Sequence, residues 1–236
     1  MNKQSNIYTT VYIILLVLIV GSALALTAMS LRDRQQENVN ADKQRQILAA
    51  AHLTATDGDI AAAYGKYITA SLVTDEQGNT IEGADAFAVN VAEQVKKPAG
   101  ERQLPVFICT LDDGTTKYIL PCYGAGLWGP IWGYIALDDD GSTIYGAYFA
   151  HQGETPGLGA EIEKPAFSDK FTGKELFKDG AFYPVEVVKA GQHPQNANAD
   201  YIDGVTGGTI TSKGVGAMID NSLSPYQAYL KTLSSK

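Results

Sequence analysis

The chain has 236 residues, of which 45% are hydrophobic: enough for one medium globular domain plus an extra segment, and too apolar for a disordered chain. Net charge is −8; the first fifty residues hold five cations (Lys3, Arg32, Arg34, Lys43, Arg45) against three acids (Asp33, Glu37, Asp42), so the rest carries −10. An acidic body repels phosphate backbones, which excludes nucleic acid as a partner class.

Residues 4–31 contain no charge, and the stretch "VYIILLVLIVGSALALTAMSL" (11–31) is predominantly apolar. About 20 such residues span the hydrocarbon of a bilayer as a helix. Tyr8 and Tyr12 stand where an interfacial aromatic belt falls. A cleavable signal peptide would use Ala23-Leu24-Ala25 as its small-residue site, but apolar residues continue past it to Leu31, which favours an anchor. The absence of a polar face argues against a buried core helix. Arg32 and Arg34 follow the span and only Lys3 precedes it, so the charge count weakly favours a cytoplasmic body. Asp33 between the arginines dilutes that signal, and long domains translocate largely regardless of charge.

The polar stretch after residue 31 turns apolar at Ile47 and Leu48 and predicts a helical stalk, ended by Asp57-Gly58. In "DIAAAYGKYITASLV" (59–73) Ile60, Ala63, Tyr64, Tyr67, Ile68 and Leu72 recur at helical spacing. Loops follow, with one short helix around "DAFAVNVAEQV". From Leu104 the pattern turns to β: "LPVFICTL", "TKYILPCY", "IWGYIALD", "TIYGAYFAH" and "YPVEVVK" are five strand candidates, with "DDG" and "DDDG" marking hairpins. A final helix begins near Ser212 and reaches Leu233, interrupted by Pro225. The expected architecture is α+β: a short opening segment (1–10), a transmembrane helix (11–31), a stalk (32–56) and a mixed domain (57–236) with an antiparallel sheet and flanking helices.

Two cysteines make no disulfide framework. With Asp113-Gly114 as a two-residue turn, Cys109 faces Tyr118 and Cys122 faces Pro105. The two are then about 13 Å apart along the strands, beyond the roughly 7 Å that a disulfide tolerates. Both read as buried thiols, and no histidine stands at a metal-ligand spacing from them. "DDDG" lacks the alternation and terminal glutamate of a calcium loop.

"DGVTGGTITSKGV" (203–215) collects chemistry in a short space. Gly207 and Gly208 admit positive φ and close approach, and Thr211 and Ser212 are good N-cap types. The following helix offers free N–H groups to an anion, with Lys213 adding a full charge. On the residues alone, a glycine turn leading into a capped helix explains the stretch equally well, and the order of residues is not that of a P-loop. "HQGETPGLG" (151–159) is a second glycine-rich loop after a strand, and reads on its own as an Ω-loop. A lone His151 at a strand end is more often structural than a general acid. In "GLWGPIWGY" (126–134), Trp132 reads as packing, and Trp128, between glycines, as a residue near a ligand or at a contact between subunits. His52 and His193 have no ligand partners nearby in sequence.

"DGVTGGT" resembles the flavinylation motif Asp-x-x-Ser/Thr-Gly-Ala-Thr. Together with the anchor and its "LRDRQQENVNADKQRQIL" stalk, "GAGLWGPIWGYIAL" and "HQGETPGLGAEI", in that order, it resembles the C subunit of the sodium-translocating NADH:quinone oxidoreductase. "GETPGLG" is also shared with the RnfG-type subunit of the ferredoxin-linked complex; the stalk and "GLWGPIWGY" favour the quinone-reductase family. The resemblance implies an FMN-binding domain with FMN in a phosphoester bond to Thr209. Asp203, Thr206 and Gly207 match the remaining motif positions, and Gly208 departs from the usual alanine. It implies that Glu154, Thr155, Gly157 and Leu158 line the flavin ring, with Trp128 and Thr211 nearby; Lys213 is assigned on its charge alone. It further implies a single-pass subunit of the bacterial inner membrane with a periplasmic body, relaying electrons among other membrane subunits after a flavin transferase installs the cofactor. No catalytic residue, no metal and no direct NADH binding are expected of this chain. Its alternatives are an RnfG-like subunit and a flavin-free anchored scaffold.

Overall fold

The computed structural model describes residues 6–56 and 58–234. The start of the expected opening segment, residues 1–5, and Asp57 of the expected stalk break lie outside the described residues. The chain divides into two compact units, Met1–Lys43 and Gln44–Lys236.

Helix α1 (Asn6–Ala50) has 45 residues, most of them in the first unit. Expected span and stalk are one uninterrupted helix, because no proline breaks the ladder between them. Residues 11–31 cover about 32 Å at 1.5 Å per residue, which matches a hydrocarbon layer. Their large apolar side chains, such as Ile14, Leu18 and Leu24, are exposed, and α1 is long and apolar enough to cross a membrane.

The helix ends at Ala50, six residues earlier than the sequence predicts. His52 takes a left-handed φ of 57°, its N–H donates to Ala49 O, and the Leu53 N–H reaches back to Leu48 O at 3.0 Å. This is the Schellman stop, in a position where glycine is the usual signal. A non-glycine residue is held there by a tertiary contact: His52 Nε2 lies 3.0 Å from Tyr145 O, and its ring meets that of Tyr145 edge-on.

In the second unit, the sequence-predicted helix over 59–73 splits into α2 (Ile60–Tyr67) and strand β1 (Ile68–Thr74). The helical spacing of Ile68 and Leu72 loses to pairing: β-branched Ile68, Thr69, Val73 and Thr74 suit an edge strand, and β1 hydrogen-bonds to β2. Next come α3 (Val91–Gln94), β2 (Leu104–Thr110), β3 (Thr116–Ala125), β4 (Pro130–Leu137) and β5 (Ile144–His151). The five strands form one antiparallel sheet in the order β1-β2-β3-β4-β5. A 3-10 turn over Gly159–Glu163, α4 (Pro165–Ser168) and the two-residue strands β6 (Phe177–Lys178) and β7 (Ala181–Phe182) follow. The expected strand over 183–189 survives only as β8 (Glu186–Val188), paired in parallel with β9 (Tyr201–Asp203) outside the main sheet. Helices α5 (Thr209–Leu223) and α6 (Gln227–Leu233) close the chain, with a 3-10 turn at Pro225 between them.

Sheet strands alternate between two cores. Val106, Leu120, Cys122, Ile131 and Ile135 face α5 and α6, packing on Met218, Ile219, Leu223 and Leu230. Phe107, Cys109, Ile119, Tyr134 and Ala136 face the end of α1, with Ile47, Leu48 and Ala50. With both faces covered, the strands read as nearly continuous apolar runs. Trp132 Nε1 donates to Gln46 Oε1 at 3.0 Å, a packing role for that indole.

The β2–β3 hairpin is one residue out of the expected register. Leu111 N–H donates to Thr115 O and Gly114 N–H to Leu111 O, with Gly114 at φ 83°. The loop therefore has three residues, a type I turn closed by a left-handed glycine. Cys109 faces Lys117, not Tyr118. Both cysteines are free and buried. The "DDDG" turn forms as expected, with Asp140 Oδ1 accepting from the N–H groups of Ser142 and Thr143.

Candidate functional site

Three loops converge beyond one end of the sheet. The turn Gly126–Gly129 joins β3 to β4, the loop over 152–158 leaves β5, and the loop over 204–208 leads into α5. Residues far apart in sequence meet there because β3, β4 and β5 are adjacent and α5 packs along β3. Gly124 permits that closeness, since a Cβ on it would lie 2.7 Å from Met218 Cβ.

The motif loop differs from expectation in its caps. Helix α5 begins at Thr209, with Gly208 at the N-cap and no side-chain cap. Thr211 and Ser212, expected as caps, lie buried inside the first turn with other partners. Ser212 Oγ accepts from Val205 N–H at 2.8 Å and pins the loop to the helix. Thr211 Oγ1 donates to Glu154 Oε2 at 2.6 Å. Thr209, the expected acceptor, is exposed on the first helical residue, and the N–H groups beside it carry the positive end of the helix dipole. Gly207 sits at φ 81°, which turns the chain into α5, and a side chain there would meet Leu158 Cδ2 at 2.7 Å. Gly208 packs on the other loop, where an added Cβ would stand 3.1 Å from the Leu158 carbonyl. Asp203, the motif acid, is exposed at the end of β9, and its carbonyl accepts from Lys170 Nζ at 3.0 Å.

Two clefts open on either side of this loop and share Gly207 and Thr209. The first, about 360 Å³, is walled by Leu127, Trp128, Thr155, Leu158, Ile210 and Thr211, with Glu154 and Gly159 in its lining. The second, about 270 Å³, lies between Val187, Val188 and Val205, with Lys189, Thr206 and Lys213 around it. The structure thus brings Trp128, Glu154, Thr155, Leu158, Gly208 and Thr211 together in the first cleft and places Lys213 and Thr206 in the second. Gly157 lines neither; at φ 76° it shapes the turn, and its N–H donates to Glu161 Oε1 at 3.1 Å. Leu127 and Ile210 escape sequence reasoning. Their signal is an apolar side chain in a loop or first turn with no core to enter. Among the described residues of the second unit, five large apolar side chains are strongly exposed, and four of them (Leu127, Trp128, Leu158, Ile210) ring this one cleft. An apolar rim concentrated in this way marks a binding surface.

Glu154 is nearly buried, with 5% of its surface exposed. Its Oε1 accepts from Trp128 N–H at 2.8 Å. Its own N–H donates to His151 Nδ1 at 3.1 Å, and His151 Nε2 lies 3.6 Å from Glu163 Oε1. His151 therefore holds the loop, a structural role. Burial is the largest influence on the Glu154 carboxyl and raises its pKa, but hydrogen bonds from Thr211, Trp128 and Leu127, together with nearby His151, outweigh it and leave the net value below the ordinary range.

The first cleft falls within the range of small-ligand sites, roughly 300–1,000 Å³, with apolar walls and a few convergent polar groups. That is a fit for a planar aromatic cofactor, and the uncapped start of α5 beside Thr209 is a fit for its phosphate. Residues 126–224 match the FMN-binding domain family, a segment that includes every residue of both clefts. Fold and site define a flavin-binding protein with an apolar N-terminal helix.

The chain is 32% identical over 231 residues to the C subunit of the Na(+)-translocating NADH-quinone reductase from Vibrio anguillarum, covering 91% of this chain and 89% of that one. The C subunit from Pseudomonas aeruginosa is 33% identical, with 91% and 90% covered. The crystal structure of the C subunit from Parabacteroides distasonis superposes with a TM-score of 0.79 at 48% identity, over 85% of this chain and 96% of that one. The chain belongs to this family, the C subunits of Na(+)-translocating NADH-quinone reductases.

Proposed function

We propose that the chain carries FMN in a phosphoester bond to the Thr209 hydroxyl and relays electrons within a membrane complex that oxidises NADH, reduces quinone and exports sodium ions. The observation that carries this reading is the placement of Thr209: an exposed hydroxyl on the first residue of α5, at the mouth shared by two clefts, one of them ringed by apolar side chains. When bound, FMN supplies reversible electron uptake, and the protein supplies position and electrostatics.

The chain's own residues divide the work. Thr209 is the tether, and side-chain-free Gly207 and Gly208 keep the approach to it open, with Asp203 and Thr206 completing the motif. The uncapped N–H groups of α5 and Lys213 balance the phosphate charge. Leu127, Trp128, Leu158 and Ile210 cover the faces of the ring and exclude water; Thr155 and Thr211 supply polar groups at its edge, Glu154 stands in the lining behind them, and Gly157 shapes their loop. Residues 11–31 are the single span in the bacterial inner membrane, residues 32–43 the stalk, and residues 44–236, which include the end of α1, the flavin-bearing body on the periplasmic side. Other membrane subunits supply and accept the electrons, and a flavin transferase installs the cofactor.

Intact mass of the chain purified from its native membrane tests the reading: it should exceed the sequence mass by one FMN less one water. The denatured band should fluoresce yellow-green under ultraviolet light. Thr209→Val should abolish the band while leaving the melting temperature within a few degrees, because an exposed residue contributes little to stability. A colourless chain of unmodified mass refutes the covalent cofactor and favours an anchored scaffold. Loss of the band in Thr206→Val or Thr211→Val, but not in Thr209→Val, refutes the acceptor.

A further inference from the structure

Glu154 touches both walls of the first cleft. Through Oε1 it holds the backbone of Trp128 in the β3–β4 turn, and through Oε2 the hydroxyl of Thr211, two residues beyond Thr209. The glycines around it make room for this arrangement: a Cβ on Gly126 would collide with Oε1, and one on Gly159 with Oε2. Its own N–H is fixed on His151 Nδ1. The hydrogen-bond donors to the carboxylate, a hydroxyl and backbone amides, are all neutral. The oxygens that would reach for a ligand are thus already engaged inside the protein.

We infer that Glu154 is a positioning residue, an ionised strut that locks the Trp128 turn to the first turn of α5 and keeps a negative charge beside the cleft, instead of a direct flavin ligand. The redox consequence rests on the FMN reading above. A fixed negative charge next to an electron acceptor opposes the arrival of further negative charge, and in a desolvated site the opposition is weakly screened. Glu154 therefore lowers the potential of any flavin held there.

Glutamine and alanine separate the two roles. In Glu154→Gln the amide oxygen still accepts from Trp128 N–H, and the amide nitrogen donates to Thr211 Oγ1, which turns from donor to acceptor. Geometry is kept and charge is lost. In Glu154→Ala every hydrogen bond to the carboxylate is lost. Amide hydrogen exchange at Trp128, measured in the full-length Thr209→Val chain so that no covalent flavin is involved, reads the strut. Exchange should accelerate about tenfold or more in Glu154→Ala, as the loss of a hydrogen bond to a charged group implies, and stay near the parent rate in Glu154→Gln. The flavin midpoint potential in the otherwise unaltered chain reads the charge and should rise in Glu154→Gln at unchanged flavin content. Unaltered Trp128 exchange in Glu154→Ala overturns the strut, and an unaltered potential in Glu154→Gln overturns the charge. A wild-type chain without flavin overturns the FMN reading and the redox half with it, while the exchange rates still decide the strut.

Discussion

Cys109 and Cys122 lie on β2 and β3, one in each core, and burial governs their chemistry. It pushes the Cys109 thiol up to about 11 against the pull of nearby Lys117, and the Cys122 thiol up to about 12 against a hydrogen bond with Ser222. Since the thiolate is the nucleophile, about one Cys109 in a thousand is reactive at pH 8, and fewer of Cys122. Native protein at pH 8 should resist iodoacetamide over hours by mass, and take up two labels once denatured. Rapid labelling of the native chain would refute this burial. That the cysteines are buried thiols is legible in the flanking apolar residues; which groups stand beside them is not, because a three-residue loop in place of a two-residue turn moves every cross-strand neighbour by one. His52 shows the same limit. Nothing in its sequence context announces a left-handed helix stop, since the conformation is held by a carbonyl 93 positions away, on Tyr145.

Helix α5 starts three residues before the sequence predicts, and that difference sets the chemistry of the motif. With Ser212 as the cap, Thr209 would sit in a loop. With Gly208 as the cap, it stands on the helix itself, beside N–H groups that no side chain satisfies. The cap preference of Ser212 is overridden because its hydroxyl is committed to Val205 N–H. The loop before the helix depends on Gly207 at φ 81°. Gly207→Ala should cost about 1–2 kcal/mol, the penalty for an L-residue in the left-handed region. It should also displace Leu158 and lower the fraction of chain carrying flavin, readable by thermal melt and in-gel fluorescence. A neutral melt with full flavin loading would show that the turn tolerates a side chain. β1 makes the converse point. Its residues fit a helical stripe and also an edge strand, and the choice falls to the unpaired edge of β2, which local spacing does not reveal.

At the scale of the molecule, the charge count and the proposed function differ on the side of the membrane the body occupies. Arg32 and Arg34 after the apolar stretch favour the cytoplasm, while the proposed function puts the body on the far side. Long domains translocate largely regardless of flanking charge, so the charge term is the weaker. A fusion after residue 236 to a phosphatase active only outside the cytoplasm should be active, and a fusion to a reporter fluorescing only inside should stay dark; the reverse result would overturn the periplasmic assignment.

The sequence by itself determined the apolar span, the α+β class, the hairpin at "DDDG", the helix interrupted at Pro225 and the glycine- and threonine-rich loop "DGVTGGT" before α5, because each is written in contiguous residues. Only the tertiary structure decided that Leu127, Trp128, Glu154, Leu158 and Ile210 enclose one cleft beside Thr209, with the Glu154 carboxylate joining its walls. Strand pairing and the packing of α5 on the sheet bring those residues together from positions more than eighty apart in the chain, and distance across a fold leaves no periodicity to read.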